Sequence, residues 1–388
     1  MINGMKETEK KYAAELEALR ESFSLRRLVP ARQEGTRIDI DGRRMLNLSG
    51  NDYLGLAADE CFRSEFLRTL TSETFLPSAS SSRLLTGNFD EYEALEGLLC
   101  KSFGVEAALL FNSGYHMNLG ILPAMADSHT LILADKLVHA SIIDGIRLSP
   151  ARCIRYRHNN HEQLEQLLAR YNKEYERIII VTESIFSMDG DEADLKRLVA
   201  LKSLYSNVML YVDEAHAIGV RGERGLGCAE EQGCIAGIDF LCGTFGKALA
   251  SVGAYVVCSS VIREYLVNKM RPLIFSTALP PVNVRWTHFV FQHLPELNER
   301  RRHLYRISTC LKEALVARGY NCPSTGHIVP MVVGDSRAAV IRAQELQRKG
   351  FYALPVRRPT VPEGTSRIRF SLTAGITEGE IQQLIDSL

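Results

Sequence analysis

Apolar residues recur along this chain in two rhythms. Unbroken runs rich in Ile, Val, Leu and Ala, at AALLF (107–111), TLILA (130–134), IIIV (178–181), VMLYV (208–212), DFLC (239–242) and AYVV (254–257), fit strands buried on both faces. Between them, DEYEALEGLLCKSF, HMNLGILPAMA, HASIIDGIRLS, HEQLEQLLARYN and DLKRLVALKSLY bring apolar side chains round every third or fourth residue and predict helices. Strands and helices taking turns predict an α/β fold, a mostly parallel sheet sandwiched by helices.

The two ends read differently. Tyr12, Leu16, Leu19 and Phe23 stand at helical spacing before Pro30 and Gly35 end the pattern, which predicts a helical arm. After FSTALPP comes one long charged helical stretch, WTHFVFQHLPELNERRRHLYRISTCLKEALVARG, then HIVPMVVG, AAVIRAQELQRKG and the alternating RIRFSLTA, which together predict a smaller α+β domain. The expected division is an arm and small-domain segment over 1–50, a large α/β domain over 51–285 and a C-terminal α+β domain over 286–388.

Composition removes several function classes. Lys plus Arg and Asp plus Glu both number 46 in 388 residues, so no bulk field draws the chain to nucleic acid or to an anionic membrane. No apolar stretch reaches the roughly 18 to 20 residues of a membrane span, and the N-terminus carries charges where a secretion signal is apolar. A cytoplasmic protein is expected. Nine scattered cysteines without a CxxC pair argue against a disulfide framework and against zinc.

In open α/β sheets ligands sit beyond the carboxyl ends of the strands, which singles out three places. Asn112-Ser113-Gly114-Tyr115-His116 follows a strand and opens a helix, where backbone N–H groups favour a phosphate unless Ser113 only caps the helix. Asp213-Glu214-Ala215-His216 sets a carboxylate beside an imidazole, suited to a protonated ring nitrogen, a metal or a proton relay. GTFGKA places Thr244 and Lys247 between small residues, where burial would turn a lysine into a nucleophilic amine unless Lys247 is an ordinary surface lysine in a loop. A phosphate loop, a carboxylate for a ring nitrogen and an amine for an aldehyde are together the partners that pyridoxal 5′-phosphate requires. The rival motifs GxxxxGK[ST], GxGxxG after a strand, GxSxG and HExxH are absent.

These residues resemble the α-oxoamine synthases, a branch of the fold-type I pyridoxal-phosphate enzymes. The similarity runs over nearly the whole chain, through SGNDYLGL (49–56), SSRLLTG (81–87), FNSGYHMN (111–118), HASIIDG (139–145), TESIFSMDGD (182–191), DEAHAIGVRGERG (213–225), GTFGKA (243–248) and PTVPEGTSRIRFSLTA (359–374). The resemblance implies a fold-type I transferase, a homodimer with active sites at the subunit interface, and condensation of a small amino acid with an acyl-CoA or acyl carrier protein with loss of CO2. In it Lys247 matches the lysine that carries the cofactor, Asp213 the partner of the pyridine nitrogen, His216 the contact to the ring hydroxyl and His139 the imidazole stacked on the ring. Ser187 matches a further hydroxyl on the cofactor side, and the Gly114 and Tyr115 amides and Thr244 match phosphate contacts. Ser276 and Thr277 resemble residues supplied by the neighbouring subunit. Asn51, Arg357 and Arg369 resemble substrate-side groups, and Arg26 the arginine of the N-terminal arm near the acyl substrate. The ordinary alternatives are capping or core histidines, turn-forming Asn51 and Ser187, a helix cap at Ser276 and Thr277, and a solvated arginine cluster.

The branches of the family differ in amino acid and acyl chain: alanine with pimeloyl-CoA or a pimeloyl carrier protein, glycine with acetyl-CoA, glycine with succinyl-CoA, and serine with a long-chain acyl-CoA. SRLLTG, TESIFSMDGDEADL and PTVPEGTSRIRFSLTA look most like the alanine branch of biotin synthesis, while HASIIDGIRL is equally like the glycine and acetyl-CoA branch. Two departures fall near the expected substrate region. Ser78-Ala79-Ser80-Ser81-Ser82-Arg83 stands where the family has a glycine-rich run, and Ala217-Ile218-Gly219 replaces a small glycine turn. An aminotransferase or lyase on the same fold, or a non-catalytic binding subunit, are the rival readings.

Overall fold

The computed structural model describes residues 6–388, so the first five residues of the expected arm lie outside it. The described residues fall into two compact units: one comprises the residues up to Gly50 with Met188–Gly190 and Leu304–Leu388, the other Asn51–Ser187 and Asp191–His303.

In the smaller unit the helix Glu7–Glu21 buries no side chain, and Tyr12, Leu16 and Leu19 remain exposed along it. Strands β1 (Arg32–Glu34), β2 (Arg37–Ile40) and β3 (Arg43–Asn47) form an antiparallel meander that Phe351–Tyr352 extends in parallel. A second sheet pairs Ile328–Gly334 with Ser366–Ser371, and the latter with Pro355–Val356, all antiparallel. The helices Ser336–Arg348 and Glu378–Ser387 each bury an apolar face, through Ala339, Ala343 and Leu346 in one and Ile381, Leu384 and Ile385 in the other.

The larger unit holds β4 (Ala107–Phe111), β5 (Thr130–Asp135), β6 (Arg152–Tyr156), β7 (Arg177–Glu183), β8 (Val208–Asp213), β9 (Phe240–Thr244) and β10 (Ala254–Cys258) in the order β4-β10-β9-β8-β7-β5-β6. Only β10 runs against its neighbours. The apolar runs are buried on both faces as their sequence predicts; Ile178 to Val181 and Leu131 to Ala134 are wholly inaccessible. Strand β6, RCIRY, is an addition to the expected set. It is a half-exposed edge strand in which arginine interrupts the apolar run, so neither strand signal was present. The long charged stretch divides into the helices Pro281–His293 and Asn298–Ala317 at a short 3-10 turn, Leu294–Leu297, where Pro295 lacks the N–H that would continue the first helix.

This topology brings chemistry to one edge. Parallel strands β5, β7, β8 and β9 end on Asp135, Glu183, Asp213 and Thr244, with Glu183 opposite Asp213 and Asp213 opposite Cys242. The Ser78–Ser82 departure also has a visible cost: Ser80 adopts φ +49, the left-handed region that glycine tolerates best, and its amide is held there by the Ser78 hydroxyl at 3.0 Å.

Candidate active site

Lys247 follows β9 in a turn whose neighbours Phe245, Ala248 and Leu249 are fully buried, while the lysine itself is half-buried. The turn is closed by Ser251 N–H to Phe245 O at 2.9 Å and Phe245 N–H to Gly253 O at 2.9 Å. Gly219, at φ +84, lies against it: a Cβ there would stand 2.8 Å from Ala248 Cβ. The departure Ala217-Ile218-Gly219 therefore keeps a glycine at the point of contact with the lysine turn, and buries Ala217 and Ile218 completely.

The Lys247 amine lies 2.8 Å from His216 Nε2, and His216 Nδ1 lies 2.8 Å from the Tyr53 hydroxyl. That hydroxyl donates to Asn51 Oδ1 at 3.0 Å, so His216 Nδ1 carries the hydrogen shared with Tyr53 and Nε2 presents its lone pair to the amine. Asn51, expected on the substrate side, is thus linked to Lys247 through two side chains.

Asp213 is buried at the end of β8. Its Oδ1 accepts the Ala215 amide at 2.9 Å and its Oδ2 the Asn118 side-chain amide at 2.9 Å. His139 caps the helix Ala140–Leu148, with Nδ1 accepting the Ser141 amide at 3.2 Å and lying 2.7 Å from the Ser141 hydroxyl. The residue as a whole remains solvent-accessible. Surrounding protein and then Lys247 hold its pKa below the ordinary value, against an upward pull from Asp213. Glu183, one strand over from Asp213, is fully buried; burial and the Asp213 charge push its carboxyl well above the usual range, and its Oε1 has no partner.

The helix Gly114–Met125 starts beside β9: a Cβ on Gly114 would lie 3.7 Å from Thr244 Oγ1. Ser113 accepts the His116 amide at 3.2 Å, so the cap reading holds, while the Gly114 and Tyr115 amides stay at the helix mouth where an anion would sit. Thr244 Oγ1 donates to Gly253 O at 3.0 Å and so offers an incoming group its lone pairs more readily than its hydrogen. Ser276 and Thr277 follow the short helix Arg271–Ile274; Asn112 Nδ2 donates to Thr277 O at 2.6 Å, and the Thr277 side chain is exposed. Ser187 is buried in the loop after β7, which the Phe186 amide closes by donating to Asp191 O at 3.0 Å.

The arginines lie in the smaller unit. Arg26 Nη2 donates to Thr360 Oγ1 at 3.1 Å and Arg357 Nη2 to Leu25 O at 3.3 Å, which brings the arm and the Arg357 segment together. Burial and then the neighbouring Arg26 charge hold Arg357 below the ordinary guanidinium value. Arg369 sits in the strand Ser366–Ser371, and its neighbour Arg367 is buried and pairs with Asp189. Among the described residues no cluster of His, Cys, Asp and Glu could hold a metal.

Sequence reading passed over Tyr53, Asn118, Ser141 and Glu183. Tyr53 lies inside SGNDYLGL, Asn118 ends FNSGYHMN, Ser141 sits in HASIIDG and Glu183 in TESIFSMDGD, so each was in view but carried no distinguishing spacing. The donor set fits pyridoxal phosphate: an amine, a buried strand-end carboxylate, an imidazole and a helix mouth gather at adjoining strand ends.

A family model described as aminotransferase class I and II matches residues 43–388. An 8-amino-7-oxononanoate synthase of Haemophilus ducreyi is 57% identical over 385 residues, 97% of this chain and 100% of that protein. A serine palmitoyltransferase from S. paucimobilis with bound PLP–myriocin aldimine superposes with a TM-score of 0.90 at 31% identity, over 99% of this chain and 97% of that one. An 8-amino-7-oxononanoate synthase from Francisella tularensis superposes with a TM-score of 0.75 at 27% identity, over 88% and 96%. The chain belongs to the aminotransferase class I and II family and has the fold of the fold-type I pyridoxal-phosphate enzymes. No helix among its described residues is long and apolar enough to cross a membrane.

Proposed function

We propose that this member of the family is an acyltransferase that condenses L-alanine with pimeloyl-CoA, or with a pimeloyl carrier protein, to 8-amino-7-oxononanoate with release of CO2 and the free thiol, in biotin biosynthesis. The observation that carries the reading is the near-full-length similarity to the Haemophilus ducreyi synthase. The carbon balance agrees, because a seven-carbon acyl group joined to alanine less its carboxylate gives the nine-carbon product.

In this reading Lys247 would hold pyridoxal phosphate covalently and Asp213 would pair with its ring nitrogen. His216 would bond the ring hydroxyl, with Ser187 beside it. His139 would cover one face, and the Gly114 and Tyr115 amides would hold the phosphate, joined by Thr244 once its hydroxyl hydrogen turns from Gly253 O to the anion. When bound, the cofactor supplies a ring that draws off the electron pair left as a bond to the amino acid α-carbon breaks. The protein's part is placement and proton transfer. The amine of Lys247, once free, takes and returns the α-proton, and His216 Nε2 at 2.8 Å orients it by accepting one of its hydrogens. Asn51 and Arg369 bind on the substrate side. Arg26 and Arg357 set two positive groups close together, an arrangement that favours an anionic end of the acyl substrate over a plain alkyl chain. The enzyme acts as a homodimer in which Ser276 and Thr277 of each copy serve the other's site; the exposed side chains of Leu85, Leu148 and Phe275 are consistent with a covered face.

The test is release of CoA across a matrix of alanine, glycine and serine against pimeloyl, acetyl, succinyl and palmitoyl thioesters. Alanine with pimeloyl-CoA should dominate, and a preference for any other pair would overturn the assignment. A serine and long-chain reading has the higher TM-score in its favour, but that match reflects backbone shape at a much lower identity. Borohydride reduction followed by mass spectrometry should place the modified peptide at Lys247.

A further inference from the structure

Asn118 is buried, and every polar group of its side chain is engaged. Its Nδ2 donates to Asp213 Oδ2 at 2.9 Å and to Ser141 Oγ at 3.0 Å, while Oδ1 accepts the Tyr211 hydroxyl. The orientation is forced, since a carboxylate oxygen accepts and only the amide nitrogen can donate to it. Ser141 Oγ, already an acceptor from Asn118, has its single hydrogen free for His139 Nδ1 at 2.7 Å, and the Ser141 amide donates to that same nitrogen at 3.2 Å. His139 Nδ1 therefore holds no hydrogen, and the neutral imidazole carries it on Nε2. The backbone is fitted to this arrangement: a Cβ on Gly145 would lie 2.3 Å from Asn118 O, so the helix Ala140–Leu148 lies flush on the helix Gly114–Met125 at that residue.

We propose that Asn118 is a positioning residue which, through one amide, sets both the direction of the Asp213 carboxylate and the tautomer of His139. The two groups that would flank the cofactor ring are then not independent, and disturbing one disturbs the other. The proposal rests on the cofactor assignment above only for its catalytic meaning; the wiring itself belongs to the protein. The charged and titratable groups facing His139 are Asp213, Lys247, Asp144 and Glu183, whose carboxyl takes the His139 backbone N–H. None of them contacts Nδ1, so the Ser141 hydroxyl at 2.7 Å and the Ser141 amide at 3.2 Å together decide the tautomer.

Nitrogen-15 NMR of histidine-labelled full-length protein, before and after reconstitution with pyridoxal phosphate, tests this, with the His139 signal assigned by its loss in His139→Gln. The wild type should show Nε2–H. Ser141→Ala removes the nearer of the two donors to Nδ1 and should shift part of the His139 population toward the other tautomer, leaving cofactor affinity within about twofold because the Asn118–Asp213 bond remains. Asn118→Leu, near-isosteric and unable to donate, should shift the His139 signal and also weaken cofactor binding by about tenfold or more. An unchanged His139 tautomer in Asn118→Leu would overturn the proposal, as would unaltered cofactor affinity in that variant. If Asn118→Leu fails to fold, an unchanged tautomer in Ser141→Ala would still overturn it. Should the wild type bind no cofactor, the functional reading falls, while the NMR outcome stands for the wiring alone.

Discussion

His139 and His158 follow adjacent strands, β5 and β6, at one edge of the larger unit's sheet, yet their protons behave in opposite ways. His158 is gripped by two carboxylates, with Nδ1 2.9 Å from Asp135 Oδ1 and Nε2 2.7 Å from Asp191 Oδ2, and packs edge-on against Phe186. Burial opposes its charge, but the hydrogen bonds and charges of Asp135 and Asp191 outweigh it and push the pKa up to about 10. His139 touches no carboxylate through its ring nitrogens, and burial lowers it. Two histidines in similar surroundings thus differ because of their direct partners, and one is a structural cation while the other is a neutral ring available for chemistry. The buried glutamates repeat the lesson. Burial lifts Glu214 to about 7 against the hydrogen bonds donated by Ser184, Cys228 and Ala229, whereas at Glu183, with one oxygen unpartnered, burial and the Asp213 charge both push the carboxyl up.

Substitution can break this contrast. His139→Gln should reduce CoA release by about a hundredfold or more while leaving the urea midpoint nearly unchanged, as expected of a ring that serves chemistry rather than folding. His158→Gln should do the reverse, lowering stability at pH 7 by about 2–3 kcal/mol in urea titrations, since it leaves Asp135 buried without its cation. The pH dependence then separates the two. With its folded pKa raised, the His158 contribution should be full below about pH 6.5 and disappear as the pH rises through about 10, read as wild type minus His158→Gln. The His139 contribution has the other sign, because its folded pKa is depressed: it is present above about pH 6.5 and lost as the pH falls through the folded value. Glu183→Gln should have the least effect, under about 1 kcal/mol at neutral pH, since an amide resembles the neutral carboxyl that burial favours. Its stability relative to wild type should rise with pH, because the wild type alone must keep a carboxyl neutral that ionises in the unfolded chain.

Much of this was legible beforehand, and the gaps have physical causes. Buried parallel strands announce themselves as apolar runs, so β4, β5, β7, β8, β9 and β10 and the residues at their ends could be named from sequence. Strand β6 could not, because an edge strand needs no continuous apolar run. The break at Pro295 was hidden by helical spacing on both sides of it. Lys247, Asp213 and His216 stood out by residue type and position, while His139 was named only through the family resemblance. His158, Asn118 and Tyr53 did not, since a role exercised through another side chain depends on which residues the fold brings within 3 Å, and no local spacing encodes that.

The exposed border of β6 has a consequence for the protein in a crowded cell. A sheet that ends in a bare row of amide and carbonyl groups invites another chain to zip onto it. Arg152 and Arg155 put two exposed charges on this short strand, and charged side chains on a short edge strand disfavour its pairing with a further chain at the side where the fold leaves the sheet open.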